Sequence, residues 1–513
     1  MIDEQNKSLS TLREVQEVNV QIELRATRHE FVRIPPGPRT LPFVGNRYEI
    51  YPDALGNFTR LFSRYGPMIK TENMGTTIFV NGDPVISRYI LRDDHLFTKT
   101  TSDPSHPLYY MSEQHSFFTC DSTAPACIPN RKFVPPMLSP RAVTHYVPLM
   151  QDAIEASFPV FDELASSNLA INVYHYTLKL ASAIIWRVVF NQDLKHFECT
   201  TTPLAAPIRY FGGFLSLAKR KSLQPKWFKY LPAGAHVNLK PVRQQLFDSC
   251  EEAMLASIDK DRPSLALNDP NALKSAKTIT DFLYRAADKS GNRLPYEMVL
   301  GNLVVTVGAG FATASAVLAW AIYALTRYLG NQERLHEEIT QHVKSEKSSS
   351  STAGKKRWTC AELHSLKFLD AFLKEVLRLH APSYQTARNA KQDVVLPGGY
   401  LIPKGSVVIS SFTSLHKNAE YWDNPLWFRP DRWLKDETLA TRMTNEGSFT
   451  PFAAGARGCV CRDLALAQAK LSMMEMVRRY SFEDESPEAV VYDPEWLAVR
   501  PLNFYAGLTK RGD

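Results

Sequence analysis

Residues Phe452 to Cys461 read FAAGARGCVC, and they put a cysteine behind a phenylalanine, a glycine and an arginine at spacings that suit a loop around a haem iron. A thiolate at Cys459 can take the axial position, Arg457 can meet a haem propionate, and Phe452 can keep water from the sulfur. Gly455 lets the backbone turn tightly between them. The next segment, Asp463 to Arg479, keeps apolar residues at helical spacing. Its N-terminal amides and dipole are expected to favour the thiolate at Cys459.

Working outward, FLKEVLRLHAP (Phe372–Pro382) holds Glu375 and Arg378 three residues apart on one helical face, and FRPDRW (Phe428–Trp433) follows before the cysteine loop. Upstream, Leu303 to Thr326 carries no charge and is long enough to span a bilayer. It contains Gly308, Gly310, Thr306, Thr313 and Ser315 and lies mid-chain without a second span, so a helix buried on all sides is the preferred reading. Further upstream, DSTAPACIPNRKFVPPMLSPRAV places Cys127 four residues before Arg131.

These segments, in this order, resemble the cytochrome P-450 family. The resemblance implies a mainly α fold with small β-sheets, in which a long central helix crosses over haem b. It makes Cys459 the iron ligand, with Phe452, Gly455 and Arg457 fixing its register. Arg131 and Arg388 become further propionate partners, and Glu375, Arg378 and Arg432 a buried charge triad that locks the core. Ala309, Gly310 and Thr313 match the oxygen-binding groove, where the Thr313 hydroxyl would hold bound oxygen and relay protons.

Three positions depart from the family pattern. Cys461 stands where a glycine is usual, Cys127 where a tryptophan is usual, and Ala312 where an acid normally feeds protons to the threonine. With alanine there, water held by Thr313 and Ser315, or the substrate itself, is left to supply them. The function implied is a haem-thiolate monooxygenase that inserts one atom of dioxygen into a C–H bond or double bond of a small hydrophobic molecule, such as a secondary metabolite. The alternative is a haem-binding member with impaired or non-monooxygenase activity, such as peroxide-driven oxidation, isomerisation or dehydration. Substrate walls are expected from Phe117, Phe118, the segment FGGFLSL, Val305, Tyr384 and Gln385.

The 513 residues, 44% of them hydrophobic, can bury a large core, and the expected organisation is one domain over residues 34–513 after a charged, disordered, anchor-free segment 1–33. Residues 344–357, KSEKSSSSTAGKKR, read as a flexible loop. The net charge of +7, without a basic stripe carrying interleaved aromatics, argues against nucleic acid as a partner. Seven scattered cysteines suit a reducing compartment. The chain contains no flavin or nicotinamide module, so electrons from NADPH are expected through a separate flavoprotein reductase that docks near Arg131, Lys132 and Arg462. A monomer in the cytoplasm, or held peripherally at the endoplasmic reticulum, is expected. Its membrane contact would be residues 219–232, where Trp227, Phe228 and Tyr230 mix with cations. The strand-like runs near residues 68–81 should form a small sheet, to which Val394–Ser410 adds hairpin strands.

Overall fold

The computed structural model describes residues 32–347 and 357–512, apart from 52, 93, 94, 104, 105, 107, 113, 114, 225, 226, 228, 229, 232, 233, 268, 270 and 495. Its longest element is the helix Tyr296–Arg327, and 32 residues at 1.5 Å each carry it about 48 Å. Glu297 in its first turn and Arg327 in its last complement the helix dipole, and between them the apolar run meets protein nearly all round. An apolar run of that length has the hydropathy of a membrane span, but 78% of its most apolar window is buried inside this fold. It packs along the helix Val173–Phe190, and the helices Pro140–Glu155 and Arg462–Arg479 complete a four-helix core.

Two small sheets flank this helical mass. The larger has five strands in the order Met68–Asn73, Thr76–Asn81, Val407–Ser411, Gln385–Ala390 and Phe97–Thr98. Residues 407–410 run parallel to the Thr76–Asn81 strand, with Val407 opposite Ile78 and Ser410 opposite Asn81. That pairing joins the N-terminal part of the chain to the segment just after the Glu375 helix. The smaller sheet joins Tyr480–Asp484, Tyr505–Lys510 and Ile171–Asn172. The helices Ala206–Ser222 and Ala235–Ser257 pack on each other.

The fold corrects several sequence expectations. Val394–Leu396 and Tyr400–Ile402 form a two-stranded sheet of their own around a turn with positive φ at Gly398 and Gly399, and only Val407–Ser411 enters the larger sheet. Residues 344–347 continue the helix Asn331–Lys347, because nothing in KSEK breaks a helix; 348–356 lie outside the described residues. Arg33 belongs to the folded body. It exchanges backbone hydrogen bonds with Gly399 and Leu401, and its guanidinium lies 4.8 Å from the Tyr400 ring centre. Residues 1–31 of the expected N-terminal segment lie outside the described residues.

Candidate active site

The loop from Phe452 to Cys461 closes on itself. Cys459 N–H donates to the Phe452 carbonyl at 2.8 Å, and Gly458 N–H to the Gly455 carbonyl at 2.9 Å. Gly455 sits at φ +71°, where a side chain would run into the Leu91 carbonyl, so the position requires glycine. Cys461 sits at φ −89°, a conformation open to any residue, and its side chain packs against the main core. The replacement of the usual glycine is therefore accommodated locally. Cys459 keeps an exposed surface, yet the surrounding protein mass raises its pKa. A sulfur that is open to solvent while deep in protein lies on the floor of a crevice. The Cys461 N–H and Arg462 pull its pKa down but do not overcome burial. The helix start therefore favours the thiolate, as expected, without outweighing burial; a bound cation would deprotonate the sulfur, since coordination deprotonates a thiol outright.

The central helix leaves one stripe open. Val305, Ala309 and Thr313, four residues apart, are accessible together with Gly310 on a helix whose other positions nearby are buried. Thr313 Oγ1 donates to the Ala309 carbonyl at 2.9 Å, which leaves the oxygen lone pairs toward the open side. At Gly310 a Cβ would lie 2.6 Å from Ile185 Cγ1 on the neighbouring helix, so its smallness serves helix packing. Ser315 is fully buried and turns to Tyr174 OH at 3.5 Å. Ala312 is buried as well.

Three cations gather near the loop. Arg457 donates through Nη2 to the Cys120 carbonyl at 2.5 Å, and its Nη1 lies 3.5 Å from Cys120 Sγ and 3.6 Å from Cys127 Sγ. Cys127 thus occupies the expected tryptophan position as a buried neighbour of the arginine. Lys99, which sequence reasoning missed, donates to the Phe118 carbonyl at 2.7 Å. Burial first, and then the charges of Arg457 and Arg388, push its pKa well down. Arg388 is buried on the strand Gln385–Ala390 and donates to the Ala387 carbonyl at 2.9 Å. Arg131, on the helix Cys127–Met137, is exposed. Three clustered cations repel one another, and a group bearing two carboxylates answers that repulsion. With a crevice-floor sulfur and a stripe of small residues, this donor set fits a haem, its sulfur suited to the iron and its cations to the propionates.

The family model for cytochrome P-450 matches residues 35–506. The chain belongs to the cytochrome P-450 family. It is 42% identical to the cytochrome P-450 monooxygenase alnD of Emericella nidulans over 94% of this chain and 85% of that protein. It is 24% identical to leukotriene-B4 omega-hydroxylase 3 of Mus musculus, over 73% of this chain and 71% of that protein. Among solved structures, the cytochrome P450DA heme domain superposes with a TM-score of 0.80 at 20% identity, covering 94% of this chain and 99% of that one.

In this P-450 the expected triad residues meet. Fully buried Glu375 accepts from Arg378 at 2.8 and 3.0 Å, from Arg432 at 3.1 Å and from the Trp433 indole at 2.9 Å. Arg378 also donates to the carbonyls of His416, Pro425 and Trp427, so the buried charges are bonded on every side. The segment FGGFLSL, expected among the substrate walls, lies on the helix Ala206–Ser222. Phe211 and Phe214 are fully buried, Phe211 edge-on to Phe311 at 5.4 Å, so they belong to the core. Phe117 is tied to the central helix through its N–H and Asn302 Oδ1 at 2.8 Å. Lys219 and Lys221 turn inward onto Tyr384 and Tyr110, so two cations expected to face a membrane serve the interior. Lys132 is held by Asp288 at 2.6 Å and Arg462 by Asp463 at 3.2 Å.

Proposed function

We propose that this protein is a haem-thiolate monooxygenase that oxygenates a small hydrophobic metabolite. The observation that carries the reading is Cys459 on its crevice floor, the exposed cysteine in a loop whose register Phe452, Gly455 and Arg457 set. When bound, the haem supplies an iron at which dioxygen is split, one atom going to the substrate and the other leaving as water. The balance is substrate plus dioxygen, NADPH and a proton giving hydroxylated product, water and NADP⁺. Cys459 would hold the iron, while Arg457, Arg388 and Lys99 would bind the propionates. Arg131, one turn along its helix from Cys127, would add a fourth contact. Thr313 would present its hydroxyl to the oxygen site across the open stripe, and Ala309 keeps that stripe narrow. Glu375, Arg378 and Arg432 hold the scaffold and take no chemical part.

Electrons come, in this reading, from a separate NADPH-dependent flavoprotein reductase, and the chain acts as a monomer. One relative is named for action on a lipid, leukotriene-B4 omega-hydroxylase 3 of Mus musculus, which supports a hydrophobic substrate. Peripheral membrane contact is supported by exposed Trp227 and Tyr230 beside the N-terminal segment carrying exposed Phe43, with Arg47 Nη1 joining the two at the Leu223 carbonyl, 3.0 Å away.

The test is the difference spectrum of the reduced, haem-loaded protein with and without carbon monoxide. The strongly red-shifted thiolate band is expected in the parent and in Cys461→Ser, and should vanish in Cys459→Ser. A band that survives Cys459→Ser would remove the ligand assignment and the reading with it.

A further inference from the structure

A cavity of about 650 Å³ lies along the C-terminal half of the central helix, lined there by Trp320 and Tyr323. These residues come two to three turns after Thr313. Cys459, Arg457, Ala309 and Thr313 do not line it. The helix end Leu379–His380, the hairpin residues Val490, Val499 and Leu502, and Lys417 complete its wall. It opens to solvent beside Val491 and Leu502, both about half exposed (50% and 51%). This volume is that of a small-molecule site.

Most of the wall is apolar, and its charged groups differ in how far they are already engaged. Arg378 is committed to Glu375 and three carbonyl oxygens. Asp53 caps its own helix through Gly56 N–H and accepts from Tyr492 OH. His380 is stacked on Trp320 with ring centres 4.6 Å apart, and burial keeps it neutral near pH 7, with its pKa at about 3. Lys417 is half buried, and its ammonium forms no ion pair or hydrogen bond among the described residues. Burial and Arg378 lower its pKa to about 8. An ammonium group placed against an apolar wall beside a second cation is stabilised by an anion, and by little else.

We propose that this cavity is a second ligand site, separate from the candidate active site, which takes a monocarboxylate with an apolar tail. The carboxylate pairs with Lys417, and the tail lies on Trp320, Tyr323, Leu379 and Val499. A neutral molecule of the same shape leaves the ammonium unpaired and binds less well.

The test uses haem-loaded protein whose active site is filled with the haem-coordinating azole clotrimazole, titrated calorimetrically with decanoate and with decan-1-ol. Decanoate is expected to bind with one equivalent and more tightly than the alcohol. Lys417→Met should weaken decanoate at least tenfold and leave the alcohol unchanged, and Lys417→Arg should restore decanoate. Val491→Trp, which fills the mouth from an exposed position, should block both ligands while the carbon monoxide spectrum stays as in the parent. No binding in the presence of the azole, or equal decanoate affinity in Lys417→Met, overturns the proposal. Neither result bears on Cys459, because the carbon monoxide spectrum reports the active site independently.

Discussion

Lys99 shows how much one side chain can say about a site. Its ammonium sits near Arg457 and Arg388, and burial and those two charges both push its pKa down. A cation in such company destabilises the protein on its own and becomes favourable when an anion arrives. Lys99→Met is therefore expected to act with opposite signs on two states. The haem-free protein should gain stability, while haem affinity should drop about tenfold, or roughly 1.4 kcal/mol. Thermal melts of both forms, together with the rate of haem transfer to an excess of apomyoglobin, measure the two effects; a fall in both stabilities would show that Lys99 packs and does not bind. Ala312 poses the opposite problem, a site where a group is missing. It is buried next to Thr313, and its methyl group carries no proton to pass to the threonine. General acid–base groups contribute about 10²- to 10⁴-fold. Ala312→Asp should then raise product formed per NADPH severalfold, and an unchanged ratio would mean that the proton route bypasses this position.

At the level of the element, the central helix is governed by its neighbours. Gly310→Ala would gain about 1 kcal/mol of helix propensity but drive a methyl to 2.6 Å from Ile185 Cγ1. Overpacking of this kind costs about 1–3 kcal/mol, so net destabilisation of up to about 2 kcal/mol is expected from urea unfolding. Ile185→Ala removes the obstructing atoms, and in that background Gly310→Ala should become neutral or stabilising. The same substitution in the same direction in both backgrounds would show that the glycine is not there for packing. This pair also marks where sequence reading stops. The helix itself was legible, because its uncharged run admits few other fates, and the cysteine loop was legible because Phe452, Gly455 and Arg457 fix a register. The task of Gly310 depends on Ile185, far away in the chain, and nothing local announces it. Lys99 directly follows the two-residue strand Phe97–Thr98, which is too short to carry a periodic signal. Val394–Ile402 was legible as a hairpin, but which sheet it joins is a tertiary choice that hairpin patterning does not encode.

Across the whole molecule, buried neutral histidines set the acid side of its stability. His416 is fully buried, and desolvation, helped by Arg378 and Lys417, lowers its pKa to about 3. His196 is almost as buried and is lowered to about 4, again chiefly by desolvation. Both rings hold structure in the neutral form: His416 Nε2 accepts from Thr450 N–H at 2.9 Å, and His196 Nε2 accepts from Ala205 N–H at 2.9 Å. In the unfolded chain each titrates near 6.5. Their folded pKa values are depressed, so the stability they support is fully present above about pH 6.5. As pH falls below that value the unfolded state takes up protons that the folded state refuses, and stability drops by about 1.4 kcal/mol per pH unit for each histidine until the folded pKa is reached. Carboxylates with lowered pKa, such as Asp370, add to the loss only near and below pH 4. The interval from pH 6.5 to 5 therefore isolates the histidines. Urea midpoints taken between pH 8 and 5 should be level at first and then decline, and His416→Asn should decline less steeply than the parent. A parent midpoint that stays level to pH 5 would mean that these rings accept protons in place. For His416 that would bring a third positive charge against Arg378 and Lys417, beside the carbonyl that anchors the triad arginine.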